Sequence, residues 1–244
     1  MKTNQIQLNY HLAFITPFHF GTGLRAGLIH RSMVRDAEDY LYVPGSTLKG
    51  VLRDQAGCFA QLFGIPARDP HNLAGDLGEF SPQADTLTQI FGSRFHPGTL
   101  YFDDAALIQE DRDFYNSPQT NKKYLQKQVE TRTQVSLSRL TRTARQGMLF
   151  SSEYGQRDLR FSGQIYGSLT GVPLPSRPDF TYSLLLLVAA VMSLDRIGGG
   201  KSTGLGRVCC TITELKVDHT PIDPAICVQE LGDMEIFELA QEEA

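Results

Sequence analysis

The chain has 244 residues, of which 41% are hydrophobic, which is enough for one large domain with a proper core. Its four cysteines have neither CxxC spacing nor nearby histidine pairs, so they indicate neither a disulfide framework nor a zinc site. The first eleven residues are polar, and the apolar run 180–194 is too short to span a bilayer. The sequence therefore predicts a reduced, cytoplasmic protein with no membrane partner.

The net charge of −4 is unevenly distributed. Residues 217–244 contain eight acidic and no basic residues, so in the remainder the 23 basic residues outnumber the acidic ones by four. Within residues 120–145, seven Lys and Arg side chains accompany one acidic residue, Glu130. This segment suits a phosphate-bearing partner, although charge alone is equally typical of a solvated surface.

The first half of the chain alternates between strand and helix signals. Apolar residues at every second position from Ile6 to Phe14 predict a half-buried strand. A glycine-rich loop at residues 21–27 follows. Ser46 is then predicted to be the N-cap of a long amphipathic helix, with Gly64 at its C′ position.

The second half continues the same alternation. It predicts a short helix over 81–91, a strand near 99–102 and a polar, extended hairpin within 110–147. The apolar run 180–194 predicts a buried helix, and the alternating segment 205–217 predicts a strand. This order predicts an α+β, ferredoxin-like layer carrying insertions, without a linker between independent domains.

A glycine loop, residues 196–208, joins that last helix to the last strand. Five of its residues are glycines, and exposed backbone N–H groups beside a lysine make a concavity for an anion. The residues predicted to bind phosphate there are Gly199, Gly200, Lys201, Ser202 and Thr203.

Two nucleotide-binding motifs are poor alternatives. A Walker A loop needs a glycine six residues before its lysine and opens a helix, whereas Asp195 holds that position and a strand follows. The segment GTGLRA at 21–26 fits a dinucleotide pattern, but no helical pattern follows it.

Two further segments carry anion-binding chemistry. The first is the start of the long helix, where free N–H groups and the helix dipole favour anions; its residues are Ser46, Thr47, Lys49 and Arg53. The second is the basic segment 120–145. One phosphate does not need three separate sites, so this distribution favours a polynucleotide backbone.

Four segments resemble the RAMP superfamily of CRISPR proteins, and most closely the repeating backbone subunits of type III effector complexes. They are VPGSTLKGVLR (43–53), QIFG…GTLYFDDAAL (89–107), RTQVSLSRLTRTARQGMLFSSEYG (132–155) and GGGKSTGLGRV (198–208). The resemblance implies a modified RNA-recognition-motif fold over residues 1–217, with a thumb-like insertion at about 110–155. The acidic segment 218–244 is expected to be a tail outside it.

The resemblance also implies partners: a guide RNA, its complementary target RNA, other RAMP subunits and the large signalling subunit of a type III complex. Guide phosphates would be held by the helix start, by the glycine loop and by Arg25, and thumb residues would contact RNA backbone. The thumb residues are Arg132, Arg139 and Arg142. Met148, Leu149 and Phe150 are expected to be local core rather than a tip that separates bases, and His19 a surface or packing residue.

Cleaving members of the family need an aspartate in the loop before the PGSxLKG helix. Here His30 occupies that position, while Asp36 matches a second acid of the motif. Loss of the carboxylate favours a non-cleaving subunit. The alternatives are that His30 acts as a base, either cutting target RNA within a complex or processing precursor guide RNA. No metal site is predicted, but a divalent metal such as Mg²⁺ is the candidate cofactor if the chain cuts RNA.

Overall fold

A computed structural model of the chain describes residues 1–25, 27–67, 85–93, 96–116 and 127–233. Its main element is a seven-stranded antiparallel sheet with the strand order β10-β9-β1-β8-β5-β3, in which β4 also pairs with β8. The strands are β1 (Lys2–Phe14), β3 (Tyr42–Val43), β4 (Leu100–Phe102), β5 (Ala105–Leu107), β8 (Arg160–Gly171), β9 (Val208–Val217) and β10 (Thr220–Pro221).

The predicted alternation in the first strand is confirmed. Ile6, Leu8 and Leu12 of β1 are buried on one face of the sheet, while Gln5 and His11 are exposed on the other. Because side chains of a strand point alternately to opposite faces, a half-buried strand buries every second residue. The buried face is the one that receives the helices.

Five helices are described: α1 (Gly45–Leu62), α2 (Thr86–Phe91), α3 (Gln109–Asn116), α4 (Tyr182–Met192) and α5 (Pro224–Gly232). Helix α4 is buried nearly all round, as its apolar run predicts, and it packs against α1, α2 and α5 as well as the sheet. Along the chain the main elements follow the order β1-α1-β4/β5-β8-α4-β9. In the sheet, four of the strands are neighbours in the order β9-β1-β8-β5. This combination confirms the α+β ferredoxin-like fold.

A second, three-stranded sheet combines a hairpin inserted between β5 and β8 with a short strand that lies between β1 and β3 in the chain. It consists of β6 (Val129–Leu137) paired antiparallel with β7 (Ala144–Gly155), and β2 (Ile29–Arg31) paired parallel with β7. The predicted extended hairpin is therefore present. Its base is held to the main domain at Gly155, whose N–H donates to the Phe18 carbonyl at 2.8 Å.

One predicted helix start is wrong, and the other lies outside the described residues. The N-cap of α1 is Pro44 rather than Ser46, and the N–H of Gly45 is capped by Asp104 Oδ1 at 2.7 Å. A carboxylate from the β4–β5 connection thus replaces the local hydroxyl cap. Helix α2 begins at Thr86, where Asp85 accepts from the Thr88 N–H, and the earlier part of the predicted helix lies outside the described residues. Gly64 does adopt a left-handed φ of 67° after α1.

Part of the segment expected to be an acidic tail is integrated into the fold. Strand β10 extends the sheet, and α5 follows with Asp223 as its N-cap. Cys227 and Leu231 of α5 are buried in the core against α4. The acidic composition of this segment gave no sign that two of its apolar residues are buried. Residues 234–244 lie outside the described residues. No described helix has the length and apolar character needed to cross a membrane.

Gly50 offers a stability test in the middle of α1. A methyl group there would meet nothing within 4 Å, and alanine costs less backbone entropy than glycine in a helix. We expect Gly50→Ala to raise the free energy of unfolding by about 1 kcal/mol, which urea denaturation would measure. Gly45→Ala is the contrast, because its methyl group would collide with the Phe102 carbonyl oxygen and stability should fall. An unchanged midpoint for both variants would contradict this packing.

Candidate nucleic-acid interface

Three separate parts of the chain meet at a cleft of about 540 Å³. His19, His30 and Arg31 come from the segment after β1, Thr47 from the first turn of α1, and Gly199 from the glycine loop. The structure thus brings together the catalytic candidate His30 and two of the three predicted phosphate-binding segments. No Asp or Glu is among the described residues that line this cleft.

The glycine loop is fixed to the segment after β1 by backbone hydrogen bonds. The N–H of Gly199 donates to the His19 carbonyl at 2.9 Å, and the N–H of Gly206 donates to the Pro17 carbonyl at 2.8 Å. Gly198 and Gly206 both have left-handed φ angles, of 97° and 71°. These bonds place the loop against the cleft, because they cross between segments that are far apart in sequence.

The tip of the loop faces solvent. Residues Lys201–Thr203 form a single 3-10 turn between Gly200 and Gly204, which both have left-handed φ angles. Lys201 and Ser202 are exposed, whereas the Thr203 hydroxyl donates back to the Gly200 carbonyl at 2.8 Å. Lys201 therefore presents its ammonium group to solvent, without an ion pair among the described residues, and Thr203 contributes to the shape of the loop.

At the start of α1 the predicted cations differ in their surroundings. Lys49 lies over the Phe102 ring, with Nζ 5.5 Å from the ring centroid. Burial lowers the pKa of this ammonium group, and the charge of Arg53 lowers it further. Ser46 is exposed and Thr47 is half-buried at the cleft.

Arg53 is engaged inside the fold. Its Nη2 donates to the carbonyl oxygens of Phe91, at 3.0 Å, and Gly92, and its guanidinium lies 5.7 Å from the Phe91 ring centroid. The side chain thereby satisfies the carbonyl end of α2. Burial lowers the pKa of Arg53, against the opposing influence of two aspartates. The geometry assigns this arginine first to helix capping.

The two histidines of the cleft are both tied to β7. Nδ1 of His19 lies 2.8 Å from the Glu153 carbonyl oxygen, and Nδ1 of His30 accepts from the Ser151 N–H at 3.3 Å. His30 is exposed and His19 is half-buried. Sequence reasoning missed His19 as a cleft residue, since no local pattern marks a histidine whose partner is 134 positions away.

Asp36, the second catalytic candidate, closes a turn. Its Oδ1 accepts the N–H groups of Glu38 and Tyr40, both at 2.9 Å, and its Oδ2 pairs with Arg112 Nη2 at 3.1 Å. Asp36 is not among the residues lining the cleft with His30. Three donors already bind the Asp36 carboxylate, so the structure gives this residue a role in shaping the turn.

The three predicted arginines of the inserted hairpin differ in their contacts. Arg132 pairs with Glu130 and lies 5.2 Å from the Tyr154 ring centroid. Arg139 is exposed at the turn, and Arg142, with a left-handed φ of 55°, closes that turn through an N–H bond to the Ser138 carbonyl at 2.8 Å. Arg25 is exposed in the loop before β2.

Apolar side chains are exposed along the same hairpin. Met148 is 50% exposed, Leu149 63% and Leu140, at the turn, 93%, whereas Phe150 is half-buried. The expectation that Met148 and Leu149 belong to a local core is therefore wrong. A two-stranded projection has no second layer to cover both of its faces. The hairpin therefore carries exposed apolar side chains.

Within the described residues, no group of three or more His, Cys, Asp or Glu side chains could hold a metal ion. The arrangement instead offers hydrogen-bond donors and cations to an elongated anion. Such groups fix the position of a backbone without distinguishing bases.

Comparisons with known proteins agree with this architecture. The family model of the RAMP superfamily matches residues 11–209. A chain in the cryo-EM structure of the type III-B Cmr-beta bound to cognate target RNA is similar, with 12% identity and a TM-score of 0.56 over 84% of this chain and 96% of that chain. A chain of Cmr-beta in the apo state gives 13% identity and a TM-score of 0.54, over 85% and 97% of the two chains. No curated protein sequence matches.

Proposed function

The chain belongs to the RAMP superfamily, and on that premise we propose that it is a guide-RNA-binding backbone subunit of a cytoplasmic type III CRISPR effector complex. Its partners in this proposal are the guide RNA, the complementary target RNA, other RAMP subunits and the large signalling subunit. In this proposal residues 1–217 form the RAMP domain, to which β10 and α5 add, with the segment 110–155 as its thumb.

The observation that carries the proposal is that two of the three predicted phosphate-binding segments, the start of α1 and the glycine loop, meet beside Arg31 at one cleft. Thr47 at the start of α1, Gly199 of the glycine loop and Arg31 before the hairpin surround one space. In the proposal the guide backbone follows this cleft, with Lys201, Ser202 and Gly200 at one rim and Ser46, Lys49 and Arg25 near the other segments. A mainly donor-lined groove suits a subunit that serves any guide sequence.

The hairpin supplies the second element of the proposal. Its exposed Leu140, Met148 and Leu149 support a thumb that inserts between stretches of guide–target duplex, since apolar side chains inserted between base steps interrupt stacking. Arg132, Arg139 and Arg142 would contact the adjoining RNA backbone. Arg53 would act mainly by holding α2 in place, so its share of the RNA contact is the smallest.

We further propose that the subunit does not cleave RNA. Two observations support this: the described residues of the cleft lining include no carboxylate, and Asp36 is used in a turn. The position of His30 in the cleft favours one alternative, an endoribonuclease that uses this imidazole as a base. If it cleaves, Mg²⁺ is the candidate cofactor.

Two assays separate these functions. The purified protein, incubated alone with precursor guide RNA, should leave it intact; specific cutting that His30→Ala abolishes would establish the processing alternative. The assembled complex, given complementary target RNA and Mg²⁺, should show no cut opposite this subunit. A cut that disappears with His30→Ala would overturn the non-cleaving proposal.

The binding proposal predicts a measurable electrostatic effect. Lys49→Ala together with Lys201→Ala should weaken single-stranded RNA binding about tenfold and reduce the slope of log K against log salt by about 1.4, since each lost phosphate contact removes about 0.7. Fluorescence anisotropy over a salt series measures both. The matched control is Lys2→Ala with Lys216→Ala, two lysines already paired with Asp179 and Glu214. Equal behaviour of the two double variants would contradict the proposed interface.

A further inference from the structure

His19 is anchored by one ring nitrogen and leaves the other at the cleft. A carbonyl oxygen only accepts hydrogen bonds, so the 2.8 Å contact with Glu153 requires Nδ1 of His19 to carry a proton. In the neutral ring Nε2 is then an acceptor with a free lone pair. Within the described residues this Nε2 has no hydrogen-bond partner.

Two glycines keep that ring edge open. A methyl group at position 21 would lie 2.9 Å from Nε2 of His19, and one at position 199 would lie 3.6 Å from Cδ2. Any larger residue at Gly21 would therefore press on the nitrogen. Both glycines line the cleft, so Nε2 of His19 faces the space that a ligand would occupy.

In His30 the roles of the two ring nitrogens are reversed. Its Nδ1 accepts from the backbone N–H of Ser151, which places the proton of the neutral ring on Nε2. This histidine therefore offers a donor to the cleft, as do the guanidinium of Arg31 and the hydroxyl of Thr47. Among the described side chains that line the cleft, only the Thr47 hydroxyl and Nε2 of His19 can accept a further hydrogen bond.

An acceptor has no role toward a phosphodiester, whose oxygens only accept. The group on a ribonucleotide backbone that donates is the ribose 2′-hydroxyl, and DNA lacks it. We propose that Nε2 of His19 accepts a hydrogen bond from a 2′-hydroxyl of the bound strand, making His19 the residue that selects RNA over DNA. This inference rests on the proposed RNA-binding function.

The test measures binding of the full-length protein to three single strands of one sequence: RNA, DNA and 2′-fluoro RNA. The fluorine retains the RNA-like sugar but donates no hydrogen. The wild type should bind RNA about fivefold more tightly than the fluoro strand, as expected for one hydrogen bond. The Nδ2 of His19→Asn can still donate to the Glu153 carbonyl, but the shorter side chain places no acceptor at the position of Nε2, so the preference should vanish.

Two further variants make the test independent of the histidine substitution. Gly21→Ala, at a position without a left-handed φ, should block Nε2 and also abolish the preference while His19 remains. His11→Asn, at an exposed histidine of the main sheet outside the cleft lining, should retain it. If His19→Asn fails to fold, Gly21→Ala decides the question.

The outcomes distinguish the two proposals. A wild type that binds no RNA, or binds it without salt dependence, overturns the proposed function itself. A wild type that binds RNA and 2′-fluoro RNA equally, or His19→Asn and Gly21→Ala variants that keep the wild-type preference, overturns only the role of His19. Equal weakening of all three strands by either variant also overturns it, because a phosphate contact or a packing role would give that result.

Discussion

Replacing Gly206 with alanine is expected to cost about 4 kcal/mol of unfolding free energy. The residue has a left-handed φ of 71°, which an L side chain disfavours by about 1–2 kcal/mol. In addition, its methyl group would collide with the Ile197 carbonyl oxygen. The collision lies between two backbone segments, so no side-chain rotation can relieve it.

Thermal unfolding followed by circular dichroism would measure this effect, with an expected fall in Tm of about 10 °C for a chain of this size. Gly204→Ala is the matched control in the same loop. It shares a left-handed φ, of 88°, but a methyl group there meets nothing within 4 Å. It should lower stability by only about 1 kcal/mol. Similar losses for the two variants would show that the close approach at Gly206 is unimportant.

Removing the side chain of Glu153 should cost about 3 kcal/mol and also disturb the cleft. Its Oε2 accepts the buried Met33 N–H at 2.9 Å, and its Oε1 lies 3.6 Å from Arg35 Nη2. Alanine would leave that N–H without a partner, and a hydrogen bond to a charged group contributes more than a neutral one. Because the His19 ring is anchored on the same residue's carbonyl, the loop between β1 and β3 should loosen.

Glu153→Gln separates the hydrogen bond from the charge. The amide oxygen can still accept from Met33, while the ion pair with Arg35 is lost, so the cost should be about 1 kcal/mol. Urea denaturation gives both values, and anisotropy with single-stranded RNA shows whether affinity falls in parallel. Equal costs for the two variants would mean that the ion pair, not the bond to the Met33 N–H, is the main contribution.

The two predictions concern the same region from opposite sides. Gly206 fixes the glycine loop to Pro17, and Glu153 fixes the segment after β1 to the hairpin. His19 lies between them, with its carbonyl bound to Gly199 and its ring bound to β7. The cleft therefore lies where the main domain contacts the inserted hairpin. Substitutions of Gly206 and Glu153, which do not line the cleft, are expected to alter the proposed RNA binding by shifting these contacts.

The elements that the sequence predicted well are those with local physical causes. The alternation in β1, the continuous apolar run of α4 and the left-handed glycines of the loop each follow from neighbouring residues. The order of these elements was enough to predict the ferredoxin-like sheet. Composition misled only where a few buried positions, such as Cys227 and Leu231, lay within an acidic segment.

The roles of individual polar side chains were decided by tertiary structure. Arg53 bonds a carbonyl 38 positions away, Asp36 pairs with Arg112 across 76, and Glu153 binds Met33 across 120. Periodicity and spacing carry no information about such partners, because they meet only once elements distant in sequence have packed together. The sequence alone thus determined the fold and predicted the segments proposed to bind anions. Only the folded chain decided which polar side chains are engaged, since long-range packing holds Arg53 and Asp36 inside the fold and leaves Nε2 of His19 without a hydrogen-bond partner among the described residues.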